Sequence, residues 1–264
     1  MGYTFKILGS SSSGNCSFLK TDNACILIDA GFSGRQIEAM LEAAGESVGD
    51  IEAVFITHEH SDHCKGVRGL ARHGIEFYAN PQTAKAIQQK LEKPAQWRIF
   101  QTGQPFLFKD IHIESIPLPH DSYDPVGFLF SWGEDDLFNP HRTLAWITDL
   151  GHAPKIVREK IREVDYLVVE SNHDVRMLEN DMKRPFSLKR RILGQHGHLS
   201  NDAALALLKT VERPRWREIF LAHLSKDCNS PSLVEETFSP FCHTLGCRMQ
   251  VVNPFSSSSA TISG

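Results

Sequence analysis

The chain has 264 residues, of which 41% are hydrophobic and 23% charged, with a net charge of −4 and an isoelectric point near 6.3. This composition is typical of a globular domain. The negative net charge excludes a global basic field for nucleic acid. No run approaches the roughly 18 apolar residues that a membrane span needs. Six scattered cysteines without a CxxC pair, and a start without a signal-peptide pattern, predict reduced thiols in a cytoplasmic protein.

The first half of the chain is predicted to be rich in strands. β-forming apolar runs separated by turn residues predict strands at 3–8, 15–19, 24–31, 51–58, 75–79, 97–100, 106–116 and 126–132. Helical periodicity predicts two helices, at 34–45 and 81–92, and Gly45 is a candidate C-terminal cap for the first.

Strands and helices alternate more regularly in the second half. Strands are predicted at 143–149, 165–170, 217–222 and 248–252, and helices at 153–163, 200–211 and 231–245. With no repeat and no internal linker, this order predicts stacked sheets flanked by helices in one domain, residues 1–255. The serine-rich tail, 256–264, is expected to be flexible.

The stretch FITHEHSDHCKGV, residues 55–67, crowds histidines and carboxylates behind an apolar strand. Side chains at i and i+2 of an extended chain point the same way, so His58 and His60 can present two imidazoles to one point. Asp62 and His63 follow at a turn and can aim at a neighbouring point. These are ligand types for zinc and similar metals. The alternative is a solvated polar loop with a chance excess of histidine.

The motif THEHSDH resembles the signature of the metallo-β-lactamase superfamily, and four further motifs follow the order of that family. They are Asp29 in LIDAG, His120 in PLPHDSYDPVGF, Asp149 in AWITDLG and His223 in IFLAHLS. The stretches LGSSSSGNCSFL, GHLSN and LAHLSKDCN are similar to the YycJ/WalJ branch, the single-domain relatives of the superfamily's nucleases.

This resemblance implies a four-layer αββα sandwich that holds two divalent metal ions. Carried over residue by residue, one ion is bound by His58, His60 and His120, and the other by Asp62, His63 and His223. Asp149 bridges the two ions, and Asp29 orients ligands through hydrogen bonds. Zinc and manganese both suit such ligands, and iron occupies similar sites.

Two small-residue segments are candidates for binding phosphate. The loop GSSSSGN, residues 9–15, offers backbone N–H groups and hydroxyls, and the branch resemblance favours Ser12, Ser13 and Asn15; the alternative is a simple hairpin turn. In HGHLSN, the resemblance to the nuclease relatives favours His198 over His196 as the group that binds a phosphate oxygen or protonates a leaving alkoxide. Ser200 and Asn201 are candidates for binding substrate there, and the structural alternative is that one of them caps the next helix.

Two basic runs follow the same half of the chain. KRPFSLKRR, residues 183–191, precedes His198, and ERPRWRE, residues 212–218, places arginines beside Trp216. These runs are predicted to hold a nucleic-acid backbone, with Trp216 stacking on a base. The alternative is an ordinary solvated face.

The resemblance implies a nuclease that cuts DNA with 5′-to-3′ exonuclease preference. Asp62 and Asp149 would hold the metal ions whose shared hydroxide attacks phosphorus, and His198 would assist the leaving group. Two other classes stay open, a small-molecule hydrolase acting on a cyclic phosphodiester, thioester or lactone, and a non-catalytic metal-dependent scaffold. His223 follows Asp149 by 74 positions (223 − 149), too few for the large inserted domain that the resemblance implies for RNA-processing nucleases. A polymer would therefore be held by the chain's own loops or through a homodimer.

Overall fold

Two seven-stranded sheets form the centre of the computed structural model, which describes residues 2–134, 141–255 and 260–264. The strands of the first sheet are β1 (Thr4–Ser11), β2 (Gly14–Lys20), β3 (Cys25–Ile28), β4 (Ala53–Phe55), β5 (Glu76–Ala79), β6 (Gln96–Ile99) and β14 (Ala260–Ser263). Those of the second are β7 (Phe106–Phe108), β8 (Ile111–Pro117), β9 (Val126–Trp132), β10 (Arg142–Ile147), β11 (Tyr166–Glu170), β12 (Glu218–Ala222) and β13 (Arg248–Val251). The orders are β14-β1-β2-β3-β4-β5-β6 and β13-β12-β11-β10-β9-β8-β7.

Helices cover the outer face of each sheet. They are α1 (Gly34–Ala43), α2 (Ser61–Cys64), α3 (Val67–Leu70), α4 (Pro81–Gln88), α5 (Lys155–Arg162), α6 (Val175–Asn180), α7 (Phe186–Ile192), α8 (Asn201–Lys209) and α9 (Pro231–Leu245). Apolar residues of α1, α3 and α4 pack on the first sheet, and those of α5, α8 and α9 pack on the second. The predicted four-layer αββα sandwich is therefore confirmed. In the described part of the chain, none of the helices has the length and apolar character to cross a membrane.

The core between the two sheets is aromatic. Phe55 of β4 lies 4.7 Å from the ring of Tyr78 and 5.8 Å from that of Phe130, measured between ring centroids. Trp146 and Phe220 are fully buried in the same cluster. Burying one such side chain contributes about 1.5–3 kcal/mol, so the strands that carry the site are held by a large apolar contact.

The predicted strand 106–116 is in fact a hairpin. Lys109 has φ of 53°, in the left-handed region, and it turns the chain so that Phe106 of β7 pairs with Ile113 of β8. The prediction was wrong because apolar residues on both sides of this two-residue turn read as one β-rich run. The helix predicted at 81–92 ends at Gln88.

Part of the segment predicted as a tail, 256–264, forms a strand that the sequence analysis did not predict. Residues 260–263 form β14, which pairs antiparallel with β1 and places Ala260 and Ile262 against the core. This segment forms a strand because its alternate residues are apolar and because the edge of β1 is otherwise unpaired. The other residues of the predicted tail, 256–259, lie outside the described residues.

Strand direction decides where the site forms. In the first sheet β3 and β4 are parallel, and in the second β8 runs in the same direction as β10, β11 and β12. Their carboxyl ends therefore meet at one end of the sandwich. A hydrogen bond from Val126 N to Thr57 O, 3.1 Å, joins the two sheets there.

Candidate metal centre

Three histidines from two loops form the first ligand group. His58 and His60 follow β4, His120 follows β8, and one ring nitrogen from each lies within 4.8 Å of the others. Hydrogen bonds on the far side of the rings determine which nitrogen faces the group. Nδ1 of His120 donates to Gly197 O at 3.1 Å, and Nδ1 of His58 lies 3.0 Å from the Thr57 hydroxyl. Both rings therefore present Nε2 inward.

The second ligand group joins Asp62 and His63 to His223, which follows β12. Nδ1 of His63 donates to Oδ2 of Asp29 at 2.7 Å, and both side chains are fully buried. Asp29 also accepts hydrogen bonds from the backbone N–H of Thr57 at 2.8 Å and from the Thr57 hydroxyl. Asp29 thereby orients His63 so that its Nε2 faces the group.

Asp149 lies between the two groups. Its Oδ2 is 3.1 Å from Nε2 of His63, and its Oδ1 is 3.4 Å from Nε2 of His223 and 3.8 Å from Nε2 of His120. One carboxylate thus faces imidazoles of both groups. The structure brings together all seven residues that the sequence predicts as ligands.

The donor atoms fit divalent cations. Nε2 of His58 and Nε2 of His223 are buried and make no hydrogen bond within the described residues, a costly arrangement unless a ligand completes it. Burial together with the neighbouring His63 imidazole lowers the pKa of His58 well below its usual value, which leaves a neutral ring with a free lone pair. Burial alone would raise the pKa of Asp149, but His223 and His63 outweigh it and keep that carboxyl ionised.

In the second ligand group, neighbouring carboxylates raise the pKa of a histidine. Burial by itself would lower the pKa of His223, yet Asp149, Asp62 and Glu170 raise it to about 10. The centre therefore attracts positive charge, either protons on the imidazoles or a metal ion that displaces them.

Backbone strain marks the residues that follow the strands. Asp29, Asp149 and His223 have φ of 59°, 63° and 58°. Non-glycine residues rarely adopt this left-handed region, and each such residue costs on the order of 1 kcal/mol or more. The packed strands before these residues hold this conformation, and the three side chains meet at the ligand groups beyond the strand ends.

Gly31 allows the loops to approach each other closely. A Cβ atom at this position would lie 1.7 Å from the carbonyl oxygen of Asp62 and 2.5 Å from the backbone nitrogen of Asn15. Only glycine fits between them. Gly31, two residues after Asp29, therefore permits the close approach of the backbone at Asp62 and Asn15.

Glu170, at the end of β11, was not predicted as a site residue. It is fully buried, and its Oε1 accepts hydrogen bonds from Nδ1 of His223 at 2.8 Å and Nδ1 of His198 at 2.7 Å. Its Oε2 accepts the backbone N–H groups of Leu150 and Leu199. A carboxylate at the end of a fully apolar strand, YLVVE, was the signal available in the sequence.

A cleft of about 280 Å³ opens above the two ligand groups. His60, Asp62, His120, Asp149, His198 and His223 line it from below, and Ser12 and Asn172 lie at one side. Leu188, Arg191 and Ile192 of α7 form another part of its wall. His173, one of the histidines outside the predicted ligand set, also lines the cleft.

Comparison with known proteins agrees with this geometry. Residues 25–223 match the sequence family described as the Beta-lactamase superfamily domain. Exodeoxyribonuclease YycJ of Bacillus anthracis is 37% identical over 242 residues, 90% of this chain and 89% of that protein. The chain belongs to the YycJ/WalJ family of the beta-lactamase superfamily. Exodeoxyribonuclease WalJ of Streptococcus pneumoniae D39 is likewise 37% identical over 244 residues, 90% of this chain and 87% of that protein.

The fold of this YycJ/WalJ family member is shared with a structure of much lower sequence identity. The metallo-beta-lactamase fold protein YhfI of Bacillus subtilis superposes with a TM-score of 0.71 at 15% identity, covering 100% of this chain and 99% of that one. At this identity the likeness concerns the fold alone. The family hydrolyses its substrates, and this chain is accordingly a hydrolase with a histidine and aspartate cluster suited to divalent metal.

The predicted phosphate loop is the turn of the β1–β2 hairpin. Ser12 and Ser13 are its exposed central residues, and of the two Ser12 lines the cleft, where its Oγ accepts a hydrogen bond from Asn172. Asn15 does not match its predicted contact with substrate, because it is fully buried. Its amide nitrogen instead donates to Ser11 O and lies 3.1 Å from Nε2 of His63.

In the segment 196–201, too, some of the predicted residues line the cleft and others do not. His198 lines the cleft, whereas His196 is exposed and is not among the residues that line it. Ser200 is the N-cap of α8, with its Oγ accepting from Ala203 N, and this confirms the structural alternative. Asn201 is buried and bonds to Ser171 and Asn229, so its position does not match the predicted contact with substrate either.

Only one of the two basic runs lies at the site. Lys183 to Arg191 form α7 and the turn before it, on the cleft wall. The second run precedes β12, at the end opposite His223. Trp216 there is 6% exposed and its Nε1 donates to Ile161 O at 2.6 Å. The prediction that Trp216 stacks on a base was therefore wrong, because its ring belongs to the buried cluster that also contains residues of α5 and α8.

Proposed function

We propose that this protein is a phosphodiesterase that uses two divalent metal ions and acts on DNA as a 5′-to-3′ exonuclease. The observation that carries the proposal is the pair of adjacent ligand groups joined by Asp149. The two relatives of 37% identity are both named exodeoxyribonucleases, which supports DNA as the substrate. Zinc and manganese are the ions that these ligands favour, with iron as a further candidate.

The roles of the ligands follow from their positions. His58, His60 and His120 would hold one ion, and Asp62, His63 and His223 the other, with Asp149 shared. Two such ions would supply an activated water nucleophile and neutralise charge on the phosphodiester. Asp29 and Glu170 would keep the imidazoles directed at the ions by accepting their Nδ1 protons.

His198 is the proposed general acid. Its Nδ1 donates to Glu170, so the other ring nitrogen is the one left to carry a proton toward the cleft. Burial lowers the pKa of His198, but the Glu170 carboxylate more than compensates and raises it above its usual value. A histidine held in this way can protonate the departing alkoxide as the P–O bond breaks.

Ser12 is the remaining candidate for contact with substrate. Its hydroxyl lies on the cleft wall, and its exposed position in a hairpin turn leaves it accessible to a phosphate oxygen. The hydroxyl can rotate to donate, while its lone pair already accepts from Asn172. Asn172 in turn donates to His223 O at 2.9 Å, so the turn is tied to the second ligand group.

A cytoplasmic location is proposed from the state of the cysteines. Five of the six cysteines are buried, and all six are free thiols, as expected for a protein in the reducing cytoplasm. A homodimer would extend the surface available to a polymer.

A small-molecule diesterase is the alternative that the cleft volume favours. About 280 Å³ accommodates a single nucleotide-sized ligand. A polymer should lose affinity steeply as salt rises, whereas a small ligand should not.

The experiment that tests the proposal uses end-labelled single- and double-stranded DNA with the zinc- and manganese-loaded protein. Progressive release of nucleotides from the 5′ end is expected, and His58→Ala should abolish it. Release from the 3′ end would contradict the polarity. Hydrolysis of cyclic or small diesters without any cleavage of DNA would establish the alternative.

A further inference from the structure

Tyr123 is an exposed aromatic residue beside the metal centre. It lies in the loop 118–125 between β8 and β9, three residues after His120, and it is 74% exposed. Isolated apolar groups on a surface need no explanation by themselves. The surroundings of Tyr123 distinguish it, because its backbone is held firmly while its ring is left in solvent.

Several hydrogen bonds fix this loop against the first sheet. Oε1 of Glu59, from the HEHSDH motif, accepts the backbone N–H of Tyr123 at 3.1 Å. Next to it, Asp124 O accepts from Asn80 Nδ2 at 2.6 Å, and the Asp124 carboxylate accepts from the Thr102 hydroxyl at 2.9 Å. An aromatic ring on an ordered loop loses little conformational entropy when a ligand stacks on it.

Arg191 lies next to the same loop, on the wall that α7 contributes to the cleft. Its Nε donates to Asp121, two residues before Tyr123, and its side chain is 58% exposed. Within the described residues, the two Nη groups of Arg191 make no hydrogen bond, so they remain available. A guanidinium fixed at one nitrogen and free at two is suited to a phosphate.

We propose that Tyr123 and Arg191 bind one nucleotide at the end of a DNA strand next to the cleft, with its base on the Tyr123 ring and its phosphate on Arg191. The inference rests on the proposed function and specifies where its substrate is held. A base offers a free face to a side chain when it is unpaired or stands at the end of a duplex. Arg191 is ion-paired with Asp121 through Nε, and its two Nη groups are the ones that would meet a phosphate oxygen.

The test measures binding rather than hydrolysis. The zinc-loaded full-length protein is titrated into a fluorescent 20-mer thymidine phosphorothioate, which resists cleavage, and anisotropy gives Kd. Tyr123→Ala should weaken binding by about 5- to 150-fold, the range for loss of one base stack. Tyr123→Phe keeps the ring and should stay within about twofold of wild type.

An abasic strand of equal length separates stacking from other effects. On that strand Tyr123→Ala should bind as the wild-type protein does, and an equal loss on both strands would overturn the proposal. Arg191→Gln should weaken both strands and reduce the slope of log Kd against log salt by about one. An unchanged slope would overturn the role of Arg191.

Leu107→Ala is the matched control. Leu107 is 60% exposed on β7, at the end of the sandwich away from the cleft, and its replacement should leave Kd unchanged. Equal affinity of wild type and Tyr123→Ala for the thymidine strand would refute the inference. Because no cleavage is needed, a protein that binds through Tyr123 but degrades no DNA would refute the proposed function alone.

Discussion

The carboxylate of Glu170 accepts a hydrogen bond from Nδ1 of His198 at 2.7 Å. The same oxygen accepts Nδ1 of His223, a residue of the second ligand group. A proposed acid and a proposed metal ligand are thus oriented by one buried carboxylate. Within the described residues, Glu170 accepts four hydrogen bonds, two at each carboxylate oxygen, and an ionised carboxylate has the four accepting sites that this requires.

Replacing Glu170 by glutamine should weaken both metal binding and folding. The amide nitrogen of the new side chain would meet N–H groups instead of accepting them, at an expected cost of about 1–3 kcal/mol in the free energy of unfolding. Loss of the orienting bond to His223 should lower metal affinity by about 10- to 100-fold. Metal titration and urea unfolding measure the two effects. The exposed Glu163→Gln is the control, and Glu170→Gln matching it in both measurements would contradict the role assigned to Glu170.

The Asp149→Ala substitution should abolish hydrolysis, because it removes the carboxylate that faces both ligand groups. Loss of several kcal/mol of charge stabilisation corresponds to a fall in kcat of more than about 10²-fold. Asp149→Asn preserves the shape with a weaker ligand and should be intermediate in bound metal. Elemental analysis together with the DNA assay checks this. A fully active Asp149→Ala protein would show that the carboxylate is not shared between ions.

The His198→Ala substitution should retain metal and lose rate. General acid catalysis contributes about 10²–10⁴-fold, and the loss should be much smaller for a nitrophenyl phosphodiester, whose leaving group needs no proton. The neighbouring exposed His196→Ala should behave like wild type on both substrates. A His198→Ala protein that loses metal, or that slows equally on both substrates, would rule out the acid role.

The Trp216→Phe substitution should affect stability but not binding to DNA. It removes the hydrogen bond to Ile161 O and leaves that buried carbonyl unpaired, an expected cost of about 1–3 kcal/mol. Urea unfolding measures this cost, and anisotropy with single-stranded DNA measures Kd. A tenfold weaker Kd with unchanged stability would restore a base-stacking role for Trp216.

The strands were predictable from local apolar patterns, whereas the full set of ligand residues was implied by the resemblance to the metallo-β-lactamase superfamily. Strand ends are indicated by the apolar runs that stop at Asp29, His120, Asp149 and His223, and parallel strands bring such ends together. The hairpin at Lys109 was missed because a turn of two polar residues hardly interrupts the β pattern. The strand β14 was missed because its order depends on the distant edge of β1.

The contacts between loops were less predictable. Nothing adjacent in sequence shows that Glu170 meets both His198 and His223, since those contacts span 28 and 53 positions. Asn15 was expected to face substrate because its loop resembles that of the YycJ/WalJ branch, and Asn201 because its segment begins a helix whose N–H groups could bind an anion. Their burial depends on how Asp62 and Asn229 pack against them, which only the tertiary structure reveals.

Anomalous diffraction from crystals soaked in zinc or manganese tests the central claim most directly. Two peaks are expected, one among His58, His60 and His120 and the other among Asp62, His63 and His223, with Asp149 reaching both. Absence of anomalous signal from that space after soaking in either metal would contradict the account.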